Sequence, residues 1–161
     1  MIKRLHYWAF SALLFGSLVI AEEQQPLTAQ IIGPSWVYKT QGDFHEVKAD
    51  LVDAISSRGI VLSYTAHAAG MLQRTADAVG AVGKAYDNAD ILLFCKADTT
   101  YTLTIKNPHN ISLCPYSISI YTLANDWENV FLSIRAPNPN VPEYAPIQKL
   151  LEEIISETLT W

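Results

Sequence analysis

The side chains that could do chemistry in this chain are few. They are Cys95 and Cys114, three histidines at 45, 67 and 109, and three aspartates around one apolar run, Asp87, Asp90 and Asp98. Two cysteines 19 positions apart admit three readings. They can form a disulfide, sit as two buried thiols that act as small hydrophobes, or serve as a redox or metal-thiolate pair. Topology decides the first. Bonding requires that the strands carrying them be antiparallel neighbours, because parallel strands would hold the sulfurs roughly 20 Å apart. No C-x-x-C is present, so a thioredoxin-like site has no support.

His67 follows a β-rich stretch and precedes an Ala-rich one, the place of a strand-to-helix turn. A helix N-terminus there would favour a neutral imidazole, one that could tie the turn together, ligate, or act as a base. His45 falls in the first turn of a helix and reads as solvent-facing; His109 follows Pro108 in a loop. A metal centre needs three or four converging groups. His67, His109, Cys95 and Cys114 are the available set, and their spacings are all long, so no metal ligand is assigned. No catalytic residue is assigned either. Asp87, Asp90 and Asp98 read as turn markers at the ends of one strand. The cofactor is unknown: C-x-x-C-H for a c-type haem is absent, while a b-type haem leaves no sequence signature to judge by. The ligand candidates are therefore His67, Cys95 and Cys114, with Cys95 and Cys114 also the disulfide candidate.

The elements that must position these groups follow from periodicity. Asp43 is an N-cap candidate with Glu46 three residues on. Phe44, Val47, Leu51, Ala54 and Ile55 then recur at helical spacing up to Gly59. Residues 35–40 and 60–65 read as strands, 66–82 as an Ala-rich helix interrupted by Gly70 and Gly80, and 86–88 as a turn. The apolar run 90–95 (DILLFC) suits a central strand. Residues 99–105 (TTYTLTI) alternate and, on propensity, favour a strand. Residues 112–123 and 130–135 read as a hairpin around a loop at 124–129. Residues 137–146 carry four prolines and read as extended, and 147–159 as a C-terminal amphipathic helix. Trp36, Trp127 and Trp161 are scattered and read as packing against the core or termini. The expected fold is α+β: two layers, a mostly antiparallel sheet of about five strands with helices packed on one face.

Residues 1–21 read as a separate object. Lys3 and Arg4 precede an uncharged run, Tyr7 to Ile20, and Ala21 is followed at once by Glu22 and Glu23. That is the layout of a secretory signal peptide cleaved after Ala21. As a membrane anchor the run is short of the about 20 apolar residues a span needs. The expectation is a periplasmic or secreted protein without a stable membrane span after cleavage. A linker would follow at 22–34, then a single domain at 35–161. Without Lys3 and Arg4, nine basic residues face sixteen acidic ones, a net charge of −7. That balance argues against a nucleic-acid partner. The absence of any catalytic motif favours a non-enzymatic module that binds an unknown small molecule or an envelope protein. One alternative is a periplasmic redox or metal/haem-associated protein using Cys95, Cys114 and His67. Another is a hydrolase or isomerase with His67 as base, which requires a concave pocket beside His67 and a second polar group within hydrogen-bond reach.

Three strings, taken in order, resemble the domain of unknown function 302 family over about residues 37–137. They are DFHEVKADLVDAISSRGI, YTAHAAGM with His67 at the family's His, and ILLFCKADTTYTLTIKNPHNISLCPYSISIY. Lys96-Ala97 stands where members of this type often carry Asn-Pro, Cys114-Pro115 where some carry Pro-Cys, and the stretch 73–90 is somewhat long. The resemblance implies that residues 99–107 form a short helix between two strands, against their propensity. It implies no activity.

Overall fold

A computed structural model describes residues 28–136, 138 and 140–160. The expected signal peptide and its cleavage site lie outside these residues. Six strands form one sheet: β1 (Gln30–Ile32), β2 (Ser35–Gln41), β3 (Leu62–His67), β4 (Tyr86–Phe94), β5 (Tyr116–Leu123) and β6 (Asp126–Arg135). Their spatial order is β1-β2-β6-β5-β4-β3, and every neighbouring pair is antiparallel. Four α-helices accompany them: α1 (Phe44–Ser56), α2 (Ala68–Thr75), α3 (Ala97–Lys106) and α4 (Ala145–Thr158). This is the expected α+β architecture with one strand more.

The core lies between one face of the sheet and the α1–α4 pair. A strand's side chains alternate between faces. In β5 the buried set is Tyr116, Ile118, Ile120 and Thr122, and in β6 it is Val130, Leu132 and Ile134. These meet Phe44, Val47, Leu51, Ala54 and Ile55 of α1 and Ile147, Leu150, Leu151, Ile154 and Ile155 of α4. Both helical stripes recur at three and four residues, so each helix presents one continuous apolar side to the sheet. Asp43 caps α1 as its sequence implies, accepting from the backbone N–H of His45 at 2.7 Å and of Glu46 at 3.2 Å. Gly59 takes φ +69° just after the helix, a left-handed conformation that glycine adopts without steric cost. Arg58 and Glu157 form an ion pair that joins the C-terminal ends of α1 and α4.

The opposite face of the sheet is half-buried and carries a row of one cation and two rings across three strands. Lys39, Phe131 and Tyr121 stand side by side in register. Tyr121 stacks on Phe131 with centroids 5.4 Å apart, and the Lys39 ammonium lies 5.9 Å from the Phe131 centroid.

Several local expectations are corrected. Residues 30–32, read as linker, form β1 and pair with β2 around a turn in which Gly33 takes φ +55°. Residues 86–88, read as a turn, open β4, and residues 126–129, read as loop, open β6. Polar residues are held there by cross-strand pairing: Tyr86, Asn88 and Asp126 with β5, and Asn129 with β2. The helix expected at 66–82 is confined to α2 and followed by a 3-10 turn at Asp77–Val79, which Gly80 ends at φ +64°. The strand expected from residue 112 starts at Tyr116, because Pro108–Leu113 winds into 3-10 turns. Trp127 is 73% exposed rather than packed against the core.

Residues 99–105 are helical, as the family resemblance implies and propensity does not. The reason is topological. β4 and β5 pair directly, with Phe94 opposite Tyr116, so no strand fits between them. The threonines accept the helix by turning their hydroxyls back: Thr102 donates to the Asp98 carbonyl and Thr104 to the Thr100 carbonyl, both at 2.9 Å.

Candidate functional site

The β3–β4 register sets His67 directly opposite Asp90. Asp90 shares its face with Leu92 and Phe94, the face covered by helices, and is 8% exposed. A carboxylate so placed must be paired, and two groups pair it. His67 Nδ1 lies 2.8 Å from Asp90 Oδ1, and Lys48 Nζ donates to Asp90 Oδ2 at 2.6 Å. Lys48 comes from α1, one position beyond the core residue Val47 and so at the margin of the apolar stripe. Burial pushes the Asp90 carboxyl up, but the hydrogen bonds and charges of Lys48 and His67 together outweigh it. The carboxyl lies below its ordinary value and stays ionised.

Nδ1 faces the carboxylate and so carries the proton of that bond. The imidazole is thereby oriented with Nε2 turned the other way. Among the described residues none hydrogen-bonds Nε2. The His67 side chain is 69% exposed, and it borders a cavity of about 350 Å³ with Phe44, His45, Lys48, Lys84 and Asp87. Lys84 Nζ pairs with Asp87 Oδ1 at 2.8 Å, while Asp87 Oδ2 accepts the Asn125 N–H at 3.1 Å. The Lys84 hydrogen bond, helped by the one from Asn125, holds the Asp87 carboxyl below its ordinary range. Each carboxylate oxygen at the site therefore already has a donor. The two ammonium groups do not use all of theirs, since each carries three N–H bonds.

Cys95 and Cys114 are brought together elsewhere. They flank the Phe94–Tyr116 pair, with Cα atoms 5.8 Å apart, and are joined as a disulfide. The antiparallel arrangement that bonding requires is the one present. The bond closes the neck of the excursion formed by α3 and the 3-10 turns after it. Asp90 and Cys95 are five residues apart along extended chain, roughly 17 Å. His67 and the two cysteines thus do not form one site. Among the described residues no group of three or more His, Cys, Asp or Glu could hold a metal ion.

Sequence reasoning found His67 and missed its partners. Asp90 is no turn marker: it is a buried strand residue whose partners lie 23 and 42 positions away. His45 is exposed, as expected, and also lines the cavity, its ring edge-on to Phe44. His109 is exposed in the 3-10 turn after α3, where its backbone N–H is held by Asn107. Lys48 and Lys84 carried no sequence signal at all.

No protein-family model matches the sequence, and no curated protein matches it. The fold defines the class: a two-layer α+β domain built on a fully antiparallel sheet, with a disulfide-tied helical excursion. Among solved structures it is similar to an uncharacterized conserved protein, DUF302, from Bacillus stearothermophilus, with a TM-score of 0.62. The two are 14% identical, and the likeness covers 79% of this chain and 99% of that one. The chain carries a DUF302-like fold.

Proposed function

We propose that this is an exported, non-enzymatic module that binds a small ligand in the cavity beside His67. The observation that carries the reading is the Lys48–Asp90–His67 arrangement. A buried carboxylate fixes one imidazole and one ammonium at the wall of an open cavity. Fixed polar groups in a concave site are the usual basis of small-molecule recognition. The site is donor-rich, because its carboxylate oxygens are engaged and the ammonium groups retain free N–H bonds. A ligand bearing acceptor oxygens complements it. Export is supported by the charge and hydropathy pattern of residues 1–21 and is compatible with the Cys95–Cys114 bond.

A catalytic reading with His67 as base has one favourable observation, the pocket with Asp90 in hydrogen-bond reach. Against it, no serine, threonine or cysteine lines that cavity, so a hydroxyl or thiol nucleophile has no place there. The redox reading loses its combined site, because His67 and the cysteines stand apart.

Calorimetric titration with small carboxylates tests the proposal. Binding by the wild-type protein that weakens at least tenfold in His67→Gln is the expected result. No binding, or binding indifferent to His67→Gln, overturns it.

A further inference from the structure

A second cavity of about 570 Å³ adjoins the first, and the two share Ala69, Gln73 and Lys84 in their walls. Its character is different. Leu72, Ala76, Val79, Val82 and Tyr86 line it, and Lys84 stands at the junction. The wall side chains are left largely uncovered by the rest of the fold: Leu72 is 45% exposed, Val79 73% and Val82 100%. α2 buries none of its residues although it lies against β4. An apolar cleft running into a donor-rich polar end matches a molecule that has both.

We infer that the two cavities form one site for an amphipathic carboxylate, an aliphatic acid whose chain lies in the Leu72–Val79–Val82 cleft and whose carboxylate meets Lys84, Lys48 and His67. The inference rests on the binding reading above and specifies its ligand class. Unused donors set the head group, since Lys48 and Lys84 are each balanced by an aspartate and what the junction has to spare is N–H bonds. Asp87 and Asp90 are each already engaged by two donors, and the ammonium groups at the junction have N–H bonds left for a third carboxylate. Burial of apolar surface sets the tail, since each methylene placed in the cleft adds to affinity. A short acid would reach the head position and leave the cleft empty.

Titration calorimetry with butyrate, dodecanoate below its micellar concentration, and dodecanol tests this in the full chain. Dodecanoate is expected to bind at least tenfold more tightly than butyrate and than dodecanol. Leu72→Gln, and separately Val82→Ser at a fully exposed position that folding does not depend on, should each cut the dodecanoate-to-butyrate ratio at least threefold. Equal affinity for butyrate and dodecanoate overturns the tail assignment and leaves the binding reading standing. Equal affinity for dodecanol and dodecanoate overturns the head assignment. An unchanged ratio in both variants moves the tail out of this cleft. No binding of any of the three removes the inference and the binding reading together.

Discussion

His67 and Asp90 face each other across the β3–β4 pair, with Nδ1 of the one 2.8 Å from Oδ1 of the other, although 23 residues separate them. Lys48 completes the arrangement from a different element. The three side chains are unequal: Asp90 is buried, Lys48 is partly covered and His67 is mostly exposed. That inequality orders the effects of removing them.

Asp90→Asn should cost about 2 kcal/mol, because it leaves the half-covered Lys48 ammonium without its counter-charge. His67→Gln should cost under about 1 kcal/mol, as exposed pairs contribute little. Urea unfolding of both variants measures the difference. Equal costs would mean that Asp90 does not anchor the arrangement.

The depressed Asp90 carboxyl also gives stability a dependence on acid. Its folded pKa lies below the unfolded value of about 3.9. Its contribution is therefore fully present above about pH 3.9 and is lost as pH falls through the folded value. Chemical denaturation between pH 7 and pH 2 should show a steeper acid loss in the wild type than in Asp90→Asn.

At the alkaline end Tyr38 acts in the opposite sense. Burial, with a smaller push from Glu152, raises its hydroxyl to about 12. Its contribution is complete below the unfolded value of about 10 and is lost as pH rises toward 12. Tyr38→Phe should flatten the decline of the unfolding midpoint between pH 10 and pH 12. Tyr116, Tyr121 and Tyr144, also raised by burial, keep part of it.

Breaking the Cys95–Cys114 bond should cost about 3 kcal/mol, the chain-entropy cost of opening a loop of about 20 residues. Cys95→Ser/Cys114→Ser and the reduced wild type should unfold at similar urea concentrations. Reductant should leave the double variant unchanged. A double variant as stable as the oxidised wild type would show that packing alone holds the excursion.

What could be read from the sequence divides along physical lines. The stripes of α1 and α4 and the alternation of β5 are local patterns: that of α1 matches the buried set residue for residue, and α4 and β5 each bury one threonine more, Thr158 and Thr122. Residues 99–105 mislead because β-propensity describes fit to a pleated surface, and the direct pairing of β4 with β5 offers those residues none. The order of motifs resembling the 302 family carried that information. Asp90 was illegible for another reason. At the head of DILLFC it looks like the boundary of an apolar run, and only the strand register reveals that it points inward beside His67. Lys48 and Lys84 are ordinary surface residues in sequence, and their roles exist only in three dimensions.

The tie at the neck of the α3 excursion has a consequence for how such a chain can change. The sheet's pairing at Phe94 and Tyr116 is pinned just outside the loop, so the residues between the two cysteines are anchored as a cassette. Its exposed residues can be rewritten, with residues added or removed there, while the strands on either side stay in step, as long as Leu103 keeps its place in the core and Thr100 its hydrogen bond to Tyr116. The His67 end of the sheet, far along β4, would not register the exchange.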